Sequence, residues 1–78
     1  MAHPPLRGEL IEVIENQLRA SDPPETRQTL DRLLAAGYVR EAAMMKIAAV
    51  LLEEIHEMLP QRVPFDRARF KQRLDGLS

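Results

Sequence analysis

The chain has no cysteine and no tryptophan, and its aromatic side chains amount to one tyrosine and two phenylalanines. The absence of cysteine excludes a disulfide-stabilised scaffold, a zinc–thiolate site and a cysteine nucleophile. It also fits a reducing compartment, so we expect a cytoplasmic protein. The glycines stand apart at Gly8, Gly37 and Gly76, which excludes a glycine-rich phosphate-binding loop.

Long hydrophobic runs are also missing. The longest run, residues 47–52, is far too short to cross a bilayer, and the first ten residues lack the apolar stretch of a signal peptide. We therefore expect no membrane partner. Serine occurs only at Ser21 and Ser78, so no nucleophile–base–acid set can be assembled. We predict that the protein has no catalytic residues, is not an enzyme and binds no cofactor.

Apolar residues at helical spacing recur along most of the 78 residues, and no alternating strand pattern occurs. We predict a single all-α domain over residues 1–78, a compact bundle of three main helices plus a short C-terminal fourth helix. The predicted helices cover about residues 6–20, 23–36, 40–59 and 66–75. Helical spacing also assigns Val13 and Leu34 to the inner faces of the first and second helices.

Five positions predict how the first three helices meet. Asp22 precedes Glu25 by three residues, the spacing of a capping box, so we expect it to cap the second helix, with Ser21 as the alternative cap. Pro23 then takes the first helical position. Gly37 is predicted to end that helix in a left-handed conformation.

The ends of the third and fourth helices are predicted from proline, aspartate and phenylalanine. Pro60 should terminate the third helix because it lacks the backbone N–H that continues one. Asp66 is a good cap for the fourth helix. Phe65 and Phe70, on either side of Asp66, have the spacing of a hydrophobic staple.

The third predicted helix has an apolar arc that covers more than half of its circumference. Such a helix must be buried on several sides, so we predict that it lies at the centre of the bundle. Its apolar surface exceeds what its short partners should cover, which indicates a non-catalytic interaction module that binds a second copy or another protein. The candidate interface residues are Met44, Ile47, Ala48, Leu51, Leu52, Ile55 and Met58.

Charge is unevenly distributed along the chain. Residues 1–59 carry six basic and ten acidic side chains, a net −4, whereas residues 60–78 carry five basic and two acidic side chains, a net +3. The basic residues are Arg62, Arg67, Arg69, Lys71 and Arg73. They leave three alternatives: binding to nucleic acid or another acidic partner, a solvated basic face, or docking of the last helix onto an acidic face formed by Glu9, Glu12 and Glu15.

Glu53 and His56 form a Glu-x-x-His pair near an apolar edge of Met45, Ala49 and Leu52. Carboxylate-bridged di-metal bundles use this pair twice, together with two further glutamates. One copy of the chain lacks that full set, so we predict no metal site. A symmetric dimer is the arrangement that would supply the second pair.

The order "ENQL" (15–18), "DPPE" (22–25), "RL" (32–33) and Gly37 resembles a small uncharacterised bacterial family of helical proteins, a domain of unknown function. The resemblance covers about residues 10–59. It implies a helical fold in a bacterial protein and no particular activity. Longer members of that family carry histidines at the positions of Glu41 and Met45, which this chain lacks.

Overall fold

A computed structural model describes residues 7–61 and 64–77. These residues form four helices, α1 (Arg7–Ala20), α2 (Pro24–Ala35), α3 (Arg40–Gln61) and α4 (Arg67–Asp75). The prediction of an all-α bundle with three main helices and a short fourth helix is therefore confirmed. Each helix begins and ends within two residues of its predicted bounds.

The four helices share one hydrophobic core. α3 packs against each of the other three helices, as its wide apolar arc predicts, and α2 also contacts α1 and α4. Ile14, Leu33 and Ile47 are fully buried in this core. Val13 and Leu34 are instead 44% and 39% exposed, because each lies about 100° around its helix from the buried residue beside it.

The turn between α1 and α2 is formed by backbone hydrogen bonds that end α1. Ser21 has a φ of 54°, and the N–H groups of Ser21 and Asp22 donate to the carbonyl oxygens of Leu18 and Gln17 at 3.3 and 3.1 Å. These bonds form a Schellman motif in which serine takes the usual place of glycine. The predicted side-chain cap by Asp22 or Ser21 is wrong, because both residues close the end of α1. Pro23 is also not at the predicted first helical position: it takes the cap position without a side-chain bond, and α2 begins at Pro24.

The corner between α2 and α3 forms as predicted. Gly37 has a φ of 105°, which suits glycine and strains other residues. The N–H groups of Gly37 and Tyr38 donate to the carbonyl oxygens of Leu34 and Leu33, both at 3.1 Å. Tyr38 packs at the edge of the core, with the Lys46 ammonium 5.0 Å from its ring centroid. This second Schellman motif sets the direction in which α3 leaves α2.

Pro60 does not terminate α3, which continues to Gln61. The prediction placed the end of the helix at Leu59. The φ of proline is compatible with a helix, and the residue removes one backbone hydrogen bond. That loss is tolerated here because Pro60 lies in the last turn.

The start of α4 matches both predictions. The Asp66 side chain accepts a hydrogen bond from the backbone N–H of Arg69 at 3.1 Å. The rings of Phe65 and Phe70 lie 5.3 Å apart with their planes tilted by 59°. Phe70 and Leu74 then bury the inner face of this short helix.

The C-terminal end of α4 is held by α2. The Arg32 guanidinium donates to the carbonyl oxygens of Leu74, at 2.7 Å, and of Leu77. The Leu74 carbonyl lies in the last turn of α4, at the negative end of the helix dipole, which a cation stabilises. α4 is therefore fastened at its end as well as along its apolar face.

Candidate interaction surface

The seven residues predicted to form an interface on α3 fall into two groups. Four are at most 4% exposed and belong to the core of the chain itself: Met44, Ile47, Ala48 and Leu51. Their side chains are already packed, so they offer a partner almost no surface. The other three are half-buried and reach the surface: Leu52, Ile55 and Met58.

A stripe of alanines, larger apolar residues and one histidine runs along the surface of α3, and we call it the Ala49 stripe. It consists of Ala42, Met45, Ala49, Leu52 and His56. Their alternating intervals of three and four residues are those by which one helix packs along another in a coiled coil. Ala49 and His56 are exposed and the other three are half-buried, so no helix in the described ranges covers the middle of the stripe.

Hollows flank Ala49 on both sides. One of about 170 Å³ lies towards α1 and is lined on α3 by Met45 and Leu52. Another of about 380 Å³ lies towards α4 and is lined on α3 by Lys46 and Glu53. An exposed alanine between two hollows lets a second helix approach closely, since helix axes pack 8–10 Å apart depending on the side chains between them.

A third hollow, of about 710 Å³, lies at the start of α3 and meets the stripe at Met45. Ile11 of α1 lines it, so apolar surface continues from α3 onto α1. Arg40 lies at its edge and donates two hydrogen bonds to the Glu15 carboxylate, at 2.9 and 3.1 Å. These bonds lower the pKa of Glu15 and raise that of Arg40.

The Ala49 stripe differs from the interface predicted from the sequence. Only Leu52 belongs to both sets, and Ala42, Met45 and Ala49 are absent from the predicted one. The centre of an apolar arc marks the residues that pack into the core of the chain itself, and the predicted interface was placed there. The sequence signal for the stripe is the alternating spacing of three and four residues at the margin of that arc. This signal is weak because alanine and histidine contribute little hydrophobicity.

Charged residues join α4 to α3 in a group that we call the Glu54 cluster. Its members are Glu53, Glu54, Glu57, Arg69 and Arg73. Among the described residues Glu54 is the one charged side chain that is fully buried. Arg69 Nε donates to its two oxygens at 2.9 and 3.0 Å, and Arg69 Nη2 and Arg73 Nε each donate at 2.9 Å.

The hydrogen bonds from Arg69 are the main reason that the pKa of Glu54 is lowered despite its burial, which acts in the opposite direction. The same bonds raise the pKa of Arg69. Arg73 also bonds Glu53, at 3.1 Å, and Glu57. The cluster thus holds three carboxylates against two guanidinium groups.

The basic residues predicted to bind phosphate are largely neutralised within the chain. Arg69 and Arg73 belong to the Glu54 cluster. Arg67 pairs with Asp22 at 3.1 Å, and Lys71 pairs with Asp75 at 2.9 Å, which raises the pKa of Lys71. The fifth predicted residue, Arg62, lies outside the described residues.

The predicted docking of the last helix onto Glu9, Glu12 and Glu15 is wrong. Across the described residues α4 packs on α2 and α3 and does not contact α1. The glutamates that receive α4 lie in the second half of α3, because the buried Phe70 and Leu74 place the arginine-bearing side of α4 against that segment.

The Glu53–His56 pair has no third metal-binding partner in this part of the chain. Glu53 bonds Arg73 and His56 is exposed on the Ala49 stripe. Among the described residues no three histidine, aspartate or glutamate side chains come together as a metal site. A shared site in a dimer stays a hypothesis.

Comparisons with protein-family models, with curated proteins and with solved structures found no match to this chain. The resemblance to a bacterial helical family therefore stays a prediction. Of the helices in residues 7–61 and 64–77, none combines the length and the hydropathy that crossing a bilayer requires.

Proposed function

We propose that this chain is a non-catalytic interaction module that associates with a second copy of itself through the Ala49 stripe. The observation that supports this most strongly is the uncovered three–four spacing of small and apolar residues on the central helix. Apolar side chains that stay partly open along one helix face in this way are typical of protein interfaces. We place the module in the cytoplasm because the chain lacks cysteine.

The polar groups of the chain support the same proposal, because they are already paired within the chain whereas the stripe is not covered. No buried side-chain nitrogen or oxygen among the described residues lacks a hydrogen-bond partner. The charges along α4 are matched by carboxylates of the same chain. Association through the Ala49 stripe would bury apolar surface without breaking any of these bonds, which favours the stripe as the contact surface.

A second copy is the occupant that the composition of the stripe favours. Symmetric pairing places the same patch on both sides, and the stripe has a small residue, Ala49, at its centre with larger apolar residues on either side. A standard interface buries roughly 800 Å² per partner. That is a large share of the 5261 Å² of this chain, and a single stripe supplies less, so we expect a dissociation constant in the micromolar range.

Binding of nucleic acid or another acidic partner through Arg62, Arg67, Arg69, Lys71 and Arg73 is not the function that we propose. Four of these residues would have to leave a carboxylate of the chain before they could contact phosphate. Retention on heparin at low salt, lost steeply as salt rises, is the test of this alternative.

Sedimentation velocity of an Ala49→Glu variant tests the proposed function. Ala49 is exposed, so glutamate at this position should leave the fold intact while placing charge at the centre of the contact. We expect the wild-type chain to dimerise with rising concentration and the variant to remain monomeric. Ala68→Glu is the matched control, an exposed alanine on α4 away from the stripe, and it should dimerise like the wild type. Equal behaviour of the two variants would contradict the proposal.

A further inference from the structure

We infer that the two copies pair with their α3 helices antiparallel, so that Ala49 of one copy faces Ala49 of the other across the two-fold axis. This inference rests on the proposed function and adds the orientation and register of the contact. It is carried by the arrangement of residues on either side of Ala49, which is self-complementary only when one helix is reversed.

The apolar residues of the stripe fit the reversed arrangement. Met45 precedes Ala49 by four residues and Leu52 follows it by three. Reversing one helix therefore brings Met45 of each copy opposite Leu52 of the other, about one residue apart along the axis, or ~1.5 Å. Both side chains border the 170 Å³ hollow beside Ala49, which gives each a recess to fill in the opposite copy.

The charges on the other side of the stripe fit the same register. Lys46 precedes Ala49 by three residues and Glu53 follows it by four, and both line the hollow towards α4. An antiparallel pair places Lys46 of each copy near Glu53 of the other, giving two symmetric ion pairs. A parallel pair would place Lys46 and Glu53 of one copy on the opposite side of the contact from those of the other copy, so these ion pairs could not form.

The Glu54 cluster leaves Glu53 able to attract a second cation. Its three carboxylates are matched by two guanidinium groups, so one negative charge is uncompensated. Glu53 is its outermost described carboxylate, with a side chain that is 62% exposed. Lys46 of the opposite copy would neutralise that charge and complete the balance.

Disulfide trapping between two single-cysteine variants tests the register, because the natural chain contains no cysteine. Met45→Cys chains are mixed with Leu52→Cys chains and oxidised at a concentration at which sedimentation shows dimers. Antiparallel pairing brings the two different cysteines together. It separates like cysteines by about 12 Å at position 45 and about 9 Å at position 52 along the helix, beyond the reach of a disulfide.

We expect the mixed disulfide to exceed both self-linked products by at least about tenfold at equal amounts of the two chains. Dominant self-linked products, or dimers that form no disulfide, would overturn the antiparallel register while leaving the proposed dimerisation intact. A chain that sediments only as a monomer would instead contradict the proposed function itself, so the two failures are distinguishable.

Charge reversal gives an independent readout that needs no oxidation. Lys46→Glu should weaken dimerisation about tenfold, and the double variant Lys46→Glu/Glu53→Lys should recover most of that loss, because the reversed charges again face each other. Within one helix these residues are seven apart and do not pair, so the recovery reports the contact between copies. Equal weakening by the single and the double variant would overturn the register.

Discussion

Two sides of α3 differ in whether the rest of the chain covers them. Towards α4 the helix presents Glu53, Glu54 and Glu57, and arginines of the same chain neutralise most of their charge. Along the Ala49 stripe it presents alanines and half-buried apolar side chains that the other described helices leave open. The charged side of α3 is therefore closed within the chain, and the side with little charge is the open one.

This difference shows that uneven charge along a sequence does not by itself locate a binding surface. The guanidinium groups of Arg69 and Arg73 and the carboxylates of residues 53–57 lie on consecutive helices and face each other in the fold. Buried ion pairs of this kind add little net stability over an apolar contact, but losing one partner is costly. We interpret the Glu54 cluster as the device that fixes where α4 docks.

The largest effect that we expect is on the closed side of α3. Glu54→Ala should destabilise the fold by about 3 kcal/mol, because it removes the buried carboxylate that Arg69 bonds and one of the three that Arg73 bonds. Urea unfolding followed by circular dichroism measures this. Glu53→Ala is the matched control, since the neighbouring side chain is 62% exposed and should change the stability by less than about 0.5 kcal/mol. Equal losses in the two variants would remove the distinction between buried and exposed members of the cluster.

A pH titration of stability separates the charge of Glu54 from its packing. The pKa of this carboxyl is lowered in the fold from its ordinary value of 4.5, so its contribution is fully present above that value. The contribution is lost as the pH falls through the lowered pKa. Wild type should therefore exceed Glu54→Gln in free energy of unfolding at pH 7, and the difference should shrink in acid. A difference that does not change between pH 7 and acid would contradict this account.

Substitutions on the open side of α3 should weaken dimerisation more than they lower the free energy of unfolding. Leu52→Ala should cost only about 1 kcal/mol of folding free energy, because the side chain is half-buried and leaves no enclosed cavity. The same change should weaken dimerisation about tenfold. Urea unfolding and sedimentation on the same samples compare the two effects. A loss of stability near that of Glu54→Ala, without a change in dimerisation, would make Leu52 a core residue.

The smallest effect is expected at the outer end of α4. Arg67 and Asp22 form an ion pair in which both side chains are more than half exposed. Arg67→Ala should therefore change the free energy of unfolding by less than about 0.5 kcal/mol and leave dimerisation unchanged. Thermal unfolding at low and high salt checks this. A loss of several kcal/mol would show that docking of α4 also depends on its exposed charges.

The fold was more predictable from the sequence than the site. Gly37, Asp66 and the Phe65–Phe70 pair are local signals, because each acts within a few residues of its own position. The corner at Ser21 was mispredicted because serine rarely takes a positive φ, whereas Asp22 and Glu25 have a familiar capping spacing.

The site depends on which faces of separate helices meet, and no pattern within one helix contains that information. Glu54 reads as a surface residue beside Glu53, and only the docked α4 makes it buried. The centre of the apolar arc on α3 is likewise buried because the other three helices pack against it. The contact surface was left at the margin of the arc, around Ala49.

Sedimentation equilibrium of the wild-type chain, from about 5 to about 500 µM, tests the proposed self-association most directly. The account predicts a weight-average mass that rises from the 8.9 kDa of one chain towards twice that value across this range. A mass of 8.9 kDa at every concentration would contradict it.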